Sequence, residues 1–172
     1  MQKIFEGNRG EIFLIDYFGK KAVLKRLKPG KPNTLQKEAK ILQRLSGRYA
    51  PKLFEAGRDY LIMEFVDGVA LKHAIKKDFK RAVRLALEAC YFLDRAGVYH
   101  KELGRYYHFL YAKDFSWVKV IDFERAVLRS NPRNVLQFVG YYLQSFDLKE
   151  AIELYKKDRK AGFEAIVKVL DV

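Results

Sequence analysis

The 172-residue sequence predicts an α+β chain folded as one bilobal unit: a small β-rich first lobe with one helix, then a larger, reduced helical lobe. Three observations lead there. Short β-type runs separated by Gly and Pro fill the first third of the chain. A long amphipathic segment from Asp78 to Ala96 opens the second part, and most of the chain beyond it is helical. Between them in character, the apolar run from Val118 to Ile121 ends in Asp122, Phe123 and Glu124, which sets a carboxylate at the tip of a strand. The length suits one buried core or two small lobes and is too short for two ordinary independent domains. The boundary is expected near Val66 to Leu71, giving lobes of about 1–66 and 67–172.

In chain order, Glu11 to Tyr17 and Ala22 to Leu27 read as two strands of a hairpin turning at Gly19. Lys28 to Pro32, with two prolines and a glycine, is loop. Asn33 or Thr34 can cap a helix running to about Leu45, whose apolar face holds Leu35, Ala39, Leu42 and Leu45 with Glu38 on or beside it. Strands come next at Lys52 to Ala56 and Asp59 to Glu64, then a connector from Phe65 to Gly68. In the segment from Asp78 to Ala96, Phe79, Val83, Ala86, Leu87, Cys90 and Leu93 recur at helical spacing and Gly97 ends the helix. Two more strands are expected at Phe109 to Ala112 and Val118 to Ile121, and three helices at Pro132 to Gln144, Leu148 to Asp158 and Lys160 to Leu170.

Hydrophobic residues make up 49% of the chain and charged residues 32%, which points to a folded protein and away from disorder. No apolar run reaches the roughly 20 residues of a membrane span, and MQKIFEGNRG has no signal-peptide core, so a cytoplasmic protein without membrane attachment is expected. A single cysteine, Cys90, excludes an internal disulfide and any zinc site built on several cysteines of one chain. The formal net charge of +13 favours polyanions: nucleotide phosphates, nucleic acid or an acidic partner. Spread along the chain, the same charge also reads as plain surface bias.

Phosphoryl transfer needs nucleotide phosphates neutralised and aligned, a carboxylate-held metal and a positioned acceptor. The sequence offers a candidate for each. Gly7 and Gly10 allow backbone N–H groups to approach phosphate oxygens, although two glycines in a hairpin are also an ordinary turn. Lys25 lies mid-strand between apolar neighbours, and Glu38 stands thirteen residues later on a helix that can pack across the sheet.

On these residues the chain resembles the protein-kinase-like superfamily. It is similar to the RIO kinases, to the small kinase of the KEOPS tRNA-modification complex, and to short archaeal proteins described as predicted serine/threonine kinases. The resemblance takes Gly7 to Gly10 as a reduced glycine-rich loop, Ala22 to Lys25 as the strand lysine and Glu38 as its partner. Met63 to Val66, with Glu64 and Val66 at the base, becomes the adenine hinge. His100-Lys101-Glu102 falls on the catalytic loop and Asp122-Phe123-Glu124 on the metal-binding motif. It implies ATP with Mg²⁺ or Mn²⁺, phosphates on Lys25, metal on Asp122, Glu102 as catalytic carboxylate, and a protein substrate or the chain itself as acceptor. Nothing resembles a long activation segment.

Two positions depart from the family pattern. Glu102 replaces the catalytic aspartate; its extra methylene moves the carboxylate by about 1.5 Å, and a misplacement of about 1 Å can cost roughly a hundredfold in rate. Five residues on, where a metal-binding asparagine is expected, stands Tyr107, followed by His108. His108 is a candidate metal ligand suited to Mn²⁺ or Zn²⁺, or else a hydrogen-bonding residue at a strand start. Arg105 could neutralise transferred phosphate, and Asn134 could reach the metal region if its helix packs under Asp122. Tyr99, Tyr106, Tyr107 and Tyr111, near Lys101 and Arg105, could bind nucleic acid or serve as core. The alternatives to a protein kinase are a nucleotide-binding pseudokinase that scaffolds RNA or a ribonucleoprotein, and a small-molecule kinase.

Overall fold

The computed structural model describes residues 1–172. Its first part is a five-stranded antiparallel sheet, β1 (Gln2–Glu6), β2 (Gly10–Tyr17), β3 (Lys20–Leu27), β4 (Leu53–Ala56) and β5 (Tyr60–Glu64), in the order β1-β2-β3-β5-β4. The β2–β3 hairpin turns through Phe18 and Gly19, both at positive φ, and Asp16 accepts a hydrogen bond from the Gly19 N–H. This is the turn chemistry a two-residue hairpin needs. The β3–β5 register sets Lys25 opposite Leu61 and Val23 opposite Met63, so Val23 and Lys25 share one face of the sheet.

α1 (Leu35–Leu45) buries Leu35, Glu38, Ala39, Ile41, Leu42 and Leu45. Asn33 rather than Thr34 caps it, its Oδ1 accepting from the N–H groups of Leu35 and Gln36. Thr34 instead turns its hydroxyl to Glu124, at 3.1 Å. Ser46, in the left-handed region, and Gly47 end the helix.

The second part begins with β6 (Val69–Ala70) and α2 (Leu71–Lys77), a short helix that the sequence pattern does not announce. Seven residues are too few for a periodic apolar signal, and only Leu71 and Ala74 are buried. α3 (Phe79–Ala96) is capped by Asp78 and stopped by Gly97, as expected. β7 (Val98–Tyr99) pairs with β10 (Val127–Leu128), while β6, β8 (Phe109–Tyr111) and β9 (Val118–Val120) form a three-stranded sheet. α4 (Asn134–Tyr142), α5 (Lys149–Lys157) and α6 (Arg159–Leu170) complete the chain. α4 starts two residues later than expected because the side chain of Asp94 captures the N–H groups of Asn134 and Val135. A Cβ on Gly162 would lie 2.2 Å from the Tyr155 backbone, so glycine is what lets α5 and α6 pack this closely.

One hydrophobic cluster of 34 buried residues runs through both parts, from Leu35 and Leu42 of α1 to Leu93 of α3, Phe123 and Phe138. Cys90 lies fully within it, and burial pushes its thiol pKa well up, which fits a packing role. The cleft between sheet and helices is therefore bounded by elements sharing a single core.

Candidate active site

Alternation in β3 turns Lys25 inward, and α1 brings Glu38 to meet it. Lys25 Nζ lies 2.9 Å from Glu38 Oε2 and 3.1 Å from Oε1. Glu38 Oε2 also accepts the Phe123 N–H at 3.1 Å, so one carboxylate ties β3 to the segment after β9. Lys25 Nζ is 3.8 Å from Asp122 Oδ1. Burial alone would lower the Lys25 pKa, but the carboxylates of Glu38 and Asp122 outweigh it and hold the ammonium charged.

Across the cleft, Asp122 adopts φ 65°, a left-handed conformation that turns its carboxylate out of the strand direction. His108 Nε2 is 3.4 Å from Asp122 Oδ2. His108 Nδ1 is 3.0 Å from the Glu102 carbonyl oxygen, which can only accept, so Nδ1 carries a hydrogen. Asp122 Oδ1 is buried and has no hydrogen-bond partner. Burial pushes the Asp122 carboxyl pKa up, yet His108 and Lys25 beside it bring it well below the usual range, leaving it ionised.

The loop that bears Glu102 is built on two buried polar contacts. His100 Nδ1 accepts the Glu102 N–H at 3.1 Å, so the ring hydrogen sits on Nε2 and is donated to the Ile121 carbonyl at 2.9 Å. Burial lowers the His100 pKa to about 4, in keeping with this neutral form. The His100 N–H donates to Asn134 Oδ1, and Asn134 is in turn held by Asp94 and the Val98 carbonyl. Asn134 thus supports the loop backbone and does not reach Asp122. The Glu102 carboxylate faces Arg105 Nε at 3.2 Å, and Arg105 also donates to the Tyr107 hydroxyl. A 3-10 turn at Tyr106–His108 explains why His108, and not Tyr107, faces Asp122: the turn buries His108 and leaves Tyr107 46% exposed.

Two adjoining cavities share Ile12 and Lys25 in their walls. One, of about 310 Å³, is mostly apolar, with Ile12, Val23, Met63, Leu110 and Ile121 around it and Asp122 at its end. The Val66 N–H at its edge makes no hydrogen bond within the chain, which leaves a hinge donor free. Glu64 contributes backbone only, because its carboxylate accepts from the Lys52 N–H and pairs with Lys119 at 2.5 Å. The other cavity, of about 400 Å³, is polar and runs from Gly7 and Gly10 past Lys25 and Thr34 to Glu124 and Arg125. Gly10 has a packing reason as well: a Cβ there would sit 2.6 Å from the Arg26 carbonyl oxygen. An apolar slot with a free backbone donor, continuous with a cation-lined pocket, matches a nucleotide in which a base joins a phosphate chain.

No group of three or more His, Cys, Asp and Glu side chains is placed to hold a metal ion by itself. A divalent ion held through one or two protein groups and substrate phosphates needs no such cluster. Asp122 fits that role, with an ionised carboxylate and an unpartnered oxygen. Thr34, Asn134, Asp94 and Lys119 support the site through contacts that the sequence pattern does not reveal. Asp94 alone leaves a signal there, as an acid on the apolar face of α3 next to Leu93.

The cleft has the layout of a protein-kinase-like fold, in which a strand lysine pairs with a helix glutamate opposite a metal-binding aspartate. Family comparison narrows this, because residues 20–141 match the RIO domain. The chain belongs to the RIO family of atypical protein kinases, for which use of ATP and a divalent metal is the general expectation. No curated protein sequence matches it, and no helix is long and apolar enough to cross a membrane.

Proposed function

We propose that the chain is an ATP-dependent serine/threonine phosphotransferase of the cytoplasm, acting on a protein substrate or on itself. The observation that carries this is the unpartnered Asp122 Oδ1, buried 3.8 Å from Lys25. A buried, ionised and unsatisfied oxygen is costly unless a cation completes it. In this reading the apolar cavity takes adenine against Val66 N–H and the backbone of Glu64, Gly7 and Gly10 border the phosphates, and Lys25 binds the α/β phosphates with Glu38 fixing its position. A divalent metal, when bound, neutralises phosphate charge and sets the transferred group in line. Asp122 holds it, with His108 as second ligand.

His108 fits this role for a geometric reason. With its Nδ1 hydrogen given to the Glu102 carbonyl, the ring turns Nε2 toward the ionised Asp122, where a bound metal would take the place of any proton on Nε2. Adjacent donors on an octahedral ion with bonds of about 2.1 Å stand about 3.0 Å apart, so a bound ion would draw the two side chains slightly together from their 3.4 Å separation. An imidazole ligand tilts the preference from Mg²⁺ toward Mn²⁺.

Glu102 orients the acceptor hydroxyl and takes its proton. A second reading, a nucleotide-binding pseudokinase, draws on the Arg105 contact that already engages the Glu102 carboxylate.

The test is a thermal shift together with labelled-phosphate transfer. Ligand at about 100 times its dissociation constant adds roughly 2.7 kcal/mol, which for a chain of this size raises the melting midpoint by about 5 to 10 °C. Transfer to serine or threonine, abolished by Glu102→Gln with the shift intact, supports the kinase. A shift with no transfer to itself, to proteins of an extract or to small hydroxyl compounds supports the pseudokinase; transfer confined to small compounds makes it a small-molecule kinase. Absence of any shift with ATP, Mg²⁺ or Mn²⁺ overturns the site.

A further inference from the structure

A groove of about 450 Å³ lies where the C-terminal end of α3 meets β10 and the start of α6. Its cations are Arg44, Arg95, Arg129 and Arg159, supplied by four separate segments. None of them pairs with a carboxylate; the arginine ion pairs of the chain are made by Arg26, Arg81, Arg84 and Arg105. The one acid in the wall, Asp94, is buried and already accepts from Asn134, Val135 and the Tyr155 hydroxyl.

Structure accounts for part of the cluster. Arg44 donates to the Ala96 carbonyl, and Arg159 donates to the Asp94 and Ser130 carbonyls and to Asn131 Oδ1, which satisfies chain ends near the α3 terminus. A helix C-terminus offers only about half a negative charge, against four full positive charges. The side chains of Arg95 and Arg129 make no hydrogen bond at all. They lie on aromatic rings instead, Arg95 over Tyr91 at 4.6 Å and Arg129 over Tyr99 at 5.0 Å. Arg48, over Phe92 at 4.6 Å, adds a third such plane beside α3.

We propose that this groove binds single-stranded RNA. The chain has 21 lysines and 13 arginines, yet every cation in the groove is arginine. Arginine presents a planar fork that grips phosphate through paired hydrogen bonds, which lysine cannot do. Arg95 and Arg129 are both exposed, and unpaired bases stack on guanidinium planes. Several forks spread over four segments exceed what a single phosphorylated side chain can occupy, so a polymer with repeating phosphates fits better. The inference is independent of the nucleotide cleft.

The experiment is fluorescence anisotropy with a labelled oligouridylate of about 12 nucleotides, titrated over a range of salt. The variant is Arg95→Gln with Arg129→Gln, two residues with no hydrogen bond to lose, and the control is Lys156→Gln with Lys157→Gln on α5. Wild type is expected to bind at low salt. The arginine variant should bind at least tenfold more weakly, and the slope of log K against log salt should flatten by about 1.4, since each single-strand phosphate contributes about 0.7. The ATP thermal shift should stay unchanged, and the lysine control should bind as wild type. The proposal is overturned if wild type does not bind RNA at about 50 mM salt. It is equally overturned if the arginine variant binds like wild type or no worse than the lysine control. Equal or tighter binding of duplex DNA or of a phosphoserine peptide would assign the groove to another ligand.

Discussion

The two walls of the cleft differ in how far folding alone completes them. On the sheet side, Lys25, Glu38 and the Phe123 N–H satisfy one another in a buried cluster. On the loop side, Asp122 leaves one buried oxygen without a partner and turns the other toward a ring nitrogen 3.4 Å away. One wall is a finished piece of core, and the other keeps a carboxylate oxygen that no hydrogen-bond donor of the chain satisfies. A pocket that binds a charged ligand needs both: a frame whose geometry is fixed beforehand, and groups whose valence the ligand fills.

The largest effect expected from this contrast is on the finished wall. Lys25→Ala strands the Glu38 carboxylate, whose side chain is 1% exposed, and breaking a buried pair by removing one partner costs about 3–5 kcal/mol. Urea unfolding would measure it. Adding Glu38→Leu to Lys25→Ala should recover only part of the loss, since it removes the charge left alone but leaves the buried Phe123 N–H without an acceptor. A cost for Lys25→Ala below about 1 kcal/mol, typical of surface pairs, would break the comparison.

The finished wall is largely legible in the sequence; opposite it, Asp122 and His108 can be named from the sequence, but what brings them together cannot. Lys25 and Glu38 are placed by strand alternation and helix spacing over thirteen residues, which are local signals. The position of His108 depends on a 3-10 turn that shifts the inward residue one place beyond Tyr107. Single-turn geometry of that kind has no periodic signature. Asn134, which could reach the metal region only if its helix packed under Asp122, instead joins Asp94, Val98 and the His100 N–H, a network closed across 34 to 40 positions that only the packing of α4 on α3 brings about. α2 is too short to leave a pattern, whereas α3, with eighteen residues and caps at both ends, is legible to within a residue.

A smaller effect sharpens the comparison within the loop wall, whose scaffold is finished even though its carboxylate is not. Both nitrogens of His100 are engaged in the neutral form. Its folded pKa of about 4 lies below the ordinary 6.5, so as pH falls through 6.5 the unfolded chain takes up the proton first. The stabilisation is whole above 6.5 and declines until pH reaches about 4, by a total of about 3 kcal/mol. Unfolding free energies measured across this range for wild type and His100→Gln should converge in slope at the acid end. Identical profiles for the two would show that His100 is not the group responsible.

The smallest effect on stability is expected at Asp122 itself. Asp122→Ala removes weak attractions to His108 across 3.4 Å and to Lys25 across 3.8 Å and puts alanine at φ 65°, a conformation that costs an L-residue about 1–2 kcal/mol. Against this, the substitution relieves a buried unpartnered oxygen, a gain of about 1–3 kcal/mol. These contributions oppose each other and leave a net change within about 1 kcal/mol, near the centre of ordinary point substitutions. Nucleotide binding should respond quite differently, losing its dependence on Mn²⁺ or Mg²⁺ because His108 alone cannot hold the ion. The two readouts, unfolding free energy and metal-dependent thermal shift, therefore separate at Asp122 and move together at Lys25. A loss of about 3 kcal/mol from Asp122→Ala, comparable to a buried pair, would mean that folding completes this wall as well, and that the 3.4 Å approach of His108 is an ion pair and not a place kept for a metal.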